Sequence, residues 1–68
     1  MAFAKDTDAV CRFEVGEWAV TARKVTCSIG YFEKGTRVRV IGRNSLRGYD
    51  LEDEDGSRIY DTGFDSIE

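Results

Sequence analysis

The sequence predicts an all-β fold, a small five-stranded barrel with a short helical turn before the last strand. From Glu17 onward, apolar residues recur with a period close to two, the period of a strand with one buried face. The runs are short and break at glycines, a pattern typical of small barrels. The chain has 68 residues, enough for one domain, and closure of the barrel would protect its strand edges.

The first predicted strand covers residues 17–22, where two faces compete for the core. Either Trp18 and Val20 point inward, or Ala19 and Thr21 do. The first pair is the more apolar, so we expect Trp18 to be buried in the core rather than to anchor a ligand.

A polar stretch over residues 23–35 separates this strand from the next one and predicts a long loop. The loop contains Tyr31 and Phe32, of which one is expected to belong to the core. The clearest strand follows at residues 36–41, where two valines alternate with arginines.

Residues 48–53 alternate in the same way and predict a strand that pairs with residues 36–41. One register makes the inner face apolar and sets opposite charges against each other on the outer face. The pairs in this register are Arg43–Gly48, Val40–Leu51, Arg39–Glu52 and Arg37–Glu54. Because both faces match at once, we expect an antiparallel meander in which Arg37 and Arg39 are paired within the sheet. Tyr49 then points inward.

Residues 53–57 predict a three-residue hairpin loop in which Gly56 takes the left-handed conformation. This turn sets Leu51 opposite Ile59, so both side chains face the core. The tail that follows predicts a tight turn and a last short strand that holds Ile67.

We expect residues 1–12 to be an N-terminal extension of a barrel formed by residues 13–68. Thr7 could cap a short helix through Cys11, or residues 10–13 could begin an extra strand. The sequence favours neither alternative.

The composition argues against catalysis. The chain has no histidine, so a general base near neutral pH would have to be a strongly perturbed carboxylate, lysine or cysteine. Cys11 and Cys27 have no imidazole to activate them, and a zinc site usually needs four Cys or His ligands. We expect both thiols to be reduced and to act as small core or half-buried apolar residues. The prediction is a protein that is not an enzyme and has no cofactor.

The start of the chain has no cationic region followed by an apolar run, and no stretch approaches the roughly 20 apolar residues that span a bilayer. These features favour a cytoplasmic protein without membrane contact. They leave the oligomeric state open.

The net charge of -3 conceals an uneven distribution along the chain. Residues 19–48 carry seven basic residues and one acidic residue, whereas residues 49–68 carry one basic and eight acidic residues. Asymmetry of this kind can mark an interaction surface. With Arg37 and Arg39 paired in the sheet, four basic loop residues remain for a partner. They are Arg23, Lys24, Arg43 and Arg47.

Several short motifs cover most of the chain. They are Phe13-Glu14-Val15-Gly16-Glu17, Phe32-Glu33-Lys34-Gly35-Thr36, Arg37-Val38-Arg39-Val40, Tyr49-Asp50-Leu51 and Asp55-Gly56. Over residues 13–68 the chain thereby resembles the SH3-like barrels, in the broad sense that includes bacterial SH3-like and KOW-type modules.

The resemblance implies an RT-type loop at residues 21–35, an n-Src-type loop at residues 43–47 and a distal turn at residues 54–56. Phe64 would lie beside the helical turn. Gly48 stands where the peptide-binding members have a groove aromatic, and their first-strand signature is missing, which argues against a groove for proline-rich peptides.

In the barrel that this chain resembles, the first two loops flank one cleft. We therefore expect a non-catalytic interaction module that binds an acidic protein or peptide segment through both loops. The predicted binding residues are Arg23, Lys24, Tyr31, Arg43 and Arg47. The alternatives are a KOW- or Tudor-like nucleic-acid accessory module, which the net acidity disfavours, and a structural subunit of a phage or mobile-element assembly.

Overall fold

The computed structural model describes residues 11–68, which form six strands in two antiparallel sheets and contain no helix. The strands are β1 (Trp18–Val20), β2 (Val25–Cys27), β3 (Gly30–Phe32), β4 (Arg37–Asn44), β5 (Gly48–Asp53) and β6 (Arg58–Ile59). The larger sheet has the strand order β1-β4-β5-β6, and β2 and β3 form a separate hairpin. The predicted all-β class is confirmed. No helix in residues 11–68 is long and apolar enough to cross a membrane.

Within residues 11–68, the two sheets do not close into the predicted five-stranded barrel. The expected helical turn before the last strand is also absent from this part of the chain. In its place, the Ser66 hydroxyl donates to the Gly63 carbonyl at 2.9 Å and lies 2.8 Å from the Thr62 hydroxyl. Short hydroxyl side chains that bond nearby backbone groups offer the backbone an alternative to a helix.

The end of the chain runs antiparallel along the edge of β1. Val20 and Glu68 exchange backbone hydrogen bonds of 3.3 and 2.9 Å, and Ile67 forms an isolated bridge with Thr21. The predicted last strand is therefore reduced to this bridge, which buries Ile67.

The segment between β1 and β4 contains a hairpin rather than the long loop that its polarity predicts. Val25 of β2 lies opposite Phe32 of β3, and both are buried. Tyr31 is exposed, so Phe32 is the core member of the aromatic pair. Strands of three residues are too short for an apolar period to be visible in the sequence.

The orientation of β1 is the reverse of the favoured prediction. Ala19 and Thr21 face inward, whereas Trp18 is 44% exposed and Val20 also lies on the outer side. The Thr21 hydroxyl donates to the carbonyl of residue 33 at 2.7 Å and accepts from the amide of residue 36 at 2.8 Å. This buried hydroxyl is satisfied by the backbone, so its polarity does not oppose burial.

The first half of the β4–β5 pairing follows the predicted register. Val40 lies opposite Leu51, and Arg39 lies opposite Glu52. Leu51 in turn lies opposite Ile59 of β6, as predicted. The inner face of the sheet is therefore apolar in this region.

The second half of the pairing departs from the prediction by one residue. A bulge between Val40 and Gly42 shifts the register, so that Asn44, not Arg43, lies opposite Gly48. A Cβ atom on Gly42 would lie 2.6 Å from a carboxylate oxygen of Asp50, so a larger residue here would require the Asp50 side chain to move.

The bulge leaves a short connection between β4 and β5. The Asn44 side-chain oxygen accepts from the Leu46 amide at 2.7 Å, and Gly48 follows with φ +94°. This combination closes the hairpin over residues 45–47, in place of the five-residue loop 43–47 that the sequence predicts. The distal hairpin is as predicted, since Gly56 has φ +89° and Asp53 pairs with Ser57.

Both sheets contribute to one apolar core. Its buried members are Cys11, Ala19, Val25, Phe32, Val38, Val40, Tyr49, Leu51, Ile59 and Ile67. Cys11 is buried as expected, but Cys27, the last residue of β2, is exposed.

The predicted helix or strand at the N-terminus falls largely on residues 1–10, which lie outside the described residues. The first described residues pack on the domain. The Phe13 ring meets the Tyr49 ring edge to face, with centroids 5.9 Å apart, and the Phe13 amide donates to the Tyr49 hydroxyl at 3.3 Å.

We predict that Gly48→Ala destabilises the domain more than Gly56→Ala, although both glycines have positive φ. A Cβ on Gly48 would lie 2.6 Å from the Gly63 carbonyl oxygen, whereas a Cβ on Gly56 meets nothing within 4 Å. Gly56→Ala should cost only the left-handed conformation, about 1 kcal/mol. Gly48→Ala adds a backbone clash and should cost about 3 kcal/mol. Urea unfolding of the two variants measures the difference, and equal losses would show that the chain near Gly63 is not held against β5.

Candidate functional site

Two predicted binding residues from different loops converge on the turn formed by residues 61–65. The Arg23 guanidinium lies 3.0 Å from the Asp65 carboxylate and donates to the Thr62 carbonyl at 2.7 Å. On the other side, Arg47 lies 3.5 Å from the Asp61 carboxylate. The turn therefore sits between two arginines that are far apart in the sequence.

The backbone fixes the turn in this position. The Gly63 amide donates to the Arg47 carbonyl at 3.0 Å, and the Thr62 amide donates to the Tyr49 carbonyl at 2.9 Å. Phe64 lies in the same turn and is 40% exposed. The turn thus presents an aromatic ring in a region flanked by guanidinium groups.

Lys24 and Tyr31 extend this region onto the hairpin. The Lys24 ammonium lies 4.5 Å from the centre of the exposed Tyr31 ring, the geometry of a cation–π contact. Arg23 also donates to the Lys24 carbonyl at 3.2 Å, which ties the start of the hairpin to the turn. We refer to the surface formed by Arg23, Lys24, Tyr31, Arg47 and Phe64 as the basic loop face.

Arg43, the fifth predicted binding residue, lies elsewhere. The bulge sets it opposite Tyr49, and its side chain donates to the carbonyls of Cys11 and Phe13 at 3.1 and 3.2 Å. It also lies 3.6 Å from the Glu14 carboxylate, and its side chain is only 17% exposed. Arg43 therefore holds the N-terminal segment against the sheet.

Arg37 and Arg39 are paired across the sheet as the sequence predicts. Arg37 lies 3.4 Å from Glu54, and Arg39 lies 3.6 Å from Glu52. Both guanidinium groups also approach the Trp18 ring, at 4.5 and 5.8 Å from its centre. Since the sequence favours Trp18 in the core, it does not indicate this arrangement.

A cleft of about 250 Å³ lies between the hairpin and β6. Its lining residues are Cys27, Ile29, Gly30, Tyr31, Phe32, Ser57, Arg58 and Ile59. In residues 11–68, no group of three or more His, Cys, Asp or Glu side chains comes together that could hold a metal ion.

The pKa of Asp65 lies below its ordinary value. The main cause is the hydrogen bonding from Arg23, and the positive charge of Arg23 adds to it. The carboxylate therefore stays ionised at neutral pH and remains bound to the guanidinium. Titration of Asp65 therefore reports directly on Arg23, a member of the basic loop face.

Comparison with protein-family models, with curated proteins and with solved structures finds no match to this chain. What the molecule binds is therefore inferred from its own surfaces. Two of them combine exposed aromatic rings with guanidinium groups: the basic loop face and the outer face of the four-stranded sheet.

We predict that Arg23→Gln raises the pKa of Asp65 toward its ordinary value, because the variant removes the positive charge that stabilises the carboxylate. A carboxyl-detected NMR titration of wild type and variant measures the change. Lys34→Gln, which alters an exposed cation in another loop, should leave the pKa of Asp65 unchanged.

The same pair makes stability depend on pH. The pKa of Asp65 is lower in the folded state than in the unfolded state. The ion pair therefore contributes to the free energy of unfolding above the unfolded-state pKa, and this contribution is lost as the pH falls through the folded-state pKa. The free energy of unfolding should thus decrease less on acidification in Arg23→Gln than in the wild type. An unchanged Asp65 titration in that variant would contradict the pairing.

Proposed function

We propose that this chain is a non-catalytic interaction module that binds an acidic protein or peptide segment on the basic loop face. The observation that carries the proposal is the placement of Arg23 and Arg47. Each one contacts a carboxylate of the 61–65 turn, yet their side chains remain 43% and 68% exposed. Carboxylates from another chain can therefore approach both guanidinium groups.

The carboxylates of Asp61 and Asp65 do not occupy all the hydrogen-bond donors of these arginines. A guanidinium has five N–H donors, and Arg47 contacts Asp61 through Nη1 at 3.5 Å, a long separation for an ion pair. An incoming carboxylate with better geometry can add to this contact or displace it. Exposed pairs of this kind are worth at most about 1 kcal/mol, so displacement has a small cost.

The aromatic residues supply the apolar part of such an interface. Tyr31 and Phe64 are exposed on the basic loop face. Tyrosine, phenylalanine and arginine are enriched in protein interfaces, while a purely ionic contact would be weak in salt. The fitting ligand is an acidic segment that also carries apolar side chains.

We further propose that the chain has the connectivity of the SH3-like modules, in an open form. The order of the four-stranded sheet, the hairpin between β1 and β4, and the chain end beside β1 support this proposal. In that connectivity, the hairpin and the β4–β5 loop lie on either side of one surface. Arg23 lies just before the hairpin, and Arg47 lies in the β4–β5 loop.

Arg47→Glu is predicted to weaken binding of an acidic peptide by about tenfold or more, since it puts a like charge where the ligand carboxylate binds. Arg47 is the better test site, because Arg23 also donates to the Thr62 carbonyl and its loss would loosen the turn. The measurement is an NMR titration with a synthetic peptide that alternates glutamate and leucine.

Lys34→Glu is the matched control, because it makes the same change in charge on a different loop. It should lower affinity much less than Arg47→Glu. Equal effects of the two variants, or no binding by the wild type, would contradict the basic loop face. A titration with single- and double-stranded oligonucleotides completes the test. If the oligonucleotides bind more strongly than the peptide, with a steep dependence on salt, the ligand of this face is nucleic acid and not an acidic peptide.

A further inference from the structure

The strand register places four charged or aromatic side chains in one row across the outer face of the larger sheet. Trp18 of β1 lies opposite Arg39 of β4, Arg39 lies opposite Glu52 of β5, and Glu52 lies opposite Arg58 of β6. Residues opposite each other in antiparallel strands share a face, so the row reads Trp–Arg–Glu–Arg from one edge of the sheet to the other. We call these four residues the outer row.

The outer row is a connected set of contacts. Glu52 lies between two guanidinium groups, with Oε1 3.6 Å from Arg39 and Oε2 2.9 Å from Arg58. At the β1 end, the Arg39 guanidinium lies 5.8 Å from the centre of the Trp18 ring. These mutual contacts hold the side chains of the row in place before any partner binds.

A shorter row lies beside it. Val20 lies opposite Arg37, and Arg37 contacts both the Trp18 ring and Glu54. The outer face thus has an apolar band on β1, a cationic band on β4, an anionic band formed by Glu52 of β5 and Glu54 just after it, and a cationic residue on β6.

This order of bands is complementary to itself. Consider a second copy whose outer face is placed against the outer face of the first. The two copies are related by a twofold axis that lies midway between the two sheets, runs parallel to the strands and passes over the boundary between β4 and β5. Each β4 then faces β5 of the other copy, and each β1 faces β6. Arg39 meets the second copy's Glu52, and Trp18 meets the second copy's Arg58, which is a cation–π pair. Every position of the row therefore meets a group that attracts it.

We propose that the outer face is a self-association surface that takes a second copy of this chain, with the two sheets packed face to face. Charge complementarity favours a second copy as the partner. The twofold axis reverses the order of its bands, so each cation of one copy faces an anion or an aromatic ring of the other. Facing sheets pack about 10 Å apart, a spacing that long arginine and glutamate side chains can bridge.

The geometry also sets the strength of the dimer. Four strands at a spacing of about 4.8 Å form a small face, so the interface lies in the class of weak, transient contacts. The proposal is independent of the basic loop face, with which the outer row shares no residue.

The test uses two single charge reversals, Arg39→Glu and Glu52→Arg, on the full chain. In each variant alone, like charges face each other across the twofold axis, so each should dissociate at least about tenfold more readily than the wild type.

Mixing the two variants restores the attraction between copies. The carboxylate introduced at position 39 of one copy then faces the guanidinium introduced at position 52 of the other, and the second contact is the original Arg39–Glu52 pair. The mixture should therefore form a heterodimer, although the internal Arg39–Glu52 pair is broken in both chains.

Sedimentation equilibrium at low and high salt measures the association, and NMR spectra confirm that both variants are folded. Trp18 provides a second measurement, since it is the only tryptophan and its emission should shift to the blue as the dimer forms. Lys34→Glu and Glu33→Arg make the same charge changes away from the row and should associate as the wild type does.

Three outcomes would overturn the proposal. One is a wild type that stays monomeric up to millimolar concentration in low salt. Another is a pair of folded variants that do not associate on mixing. The last is control variants that weaken association as much as the variants in the row, which would place the contact on another face.

Discussion

The bulge between Val40 and Gly42 decides which side chains of the longest strand face the core and which face solvent. Before the bulge, β4 presents Val38 and Val40 inward and two arginines outward. After it, the register has shifted by one residue, so Arg43 shares the inner side with Tyr49. A single inserted residue thus separates the arginines of β4 into two classes with different roles.

Arg43 shows the consequence for packing. Opposite Tyr49, its guanidinium reaches the carbonyl groups of Cys11 and Phe13, and the Tyr49 hydroxyl accepts from the Phe13 amide. The N-terminal segment therefore covers the end of the sheet where a continuous register would have left an arginine in solvent. The buried Cys11 thiol, which donates to the Asn44 carbonyl at 3.5 Å, completes this contact.

The alternating pattern is sufficient to predict the class of fold, the inner faces of β5 and of β4 before the bulge, and the Arg37–Glu54 and Arg39–Glu52 pairs. In these strands, hydrophobicity and charge both favour the same register. They conflict in β1, where a satisfied threonine hydroxyl allows Thr21 to be buried, while arginines from β4 cover the larger Trp18 ring. The polarity of a side chain does not show which backbone groups or arginines will contact it in the folded chain.

The binding residues are predictable only in part for the same reason. Arg23 and Arg47 come together because backbone hydrogen bonds place the 61–65 turn between them, and the sequence contains no local pattern for that contact. Arg43 is separated from them by the bulge. The only sign of this bulge in the sequence is Gly42, and a glycine at this position is equally compatible with several types of turn. The Arg39–Glu52 pair of the outer row follows from the sequence, whereas the position of Trp18 beside it is visible only in the structure.

The most direct test of this account is the cross-strand register beyond the bulge, measured by backbone NOEs in the isotopically labelled chain. We expect contacts between Arg43 and Tyr49 and between Asn44 and Gly48, together with Val40 opposite Leu51. A continuous ladder that places Arg43 opposite Gly48 would contradict it. In that case Arg43 would no longer share the inner side with Tyr49, and the separation of the β4 arginines into two roles would fail.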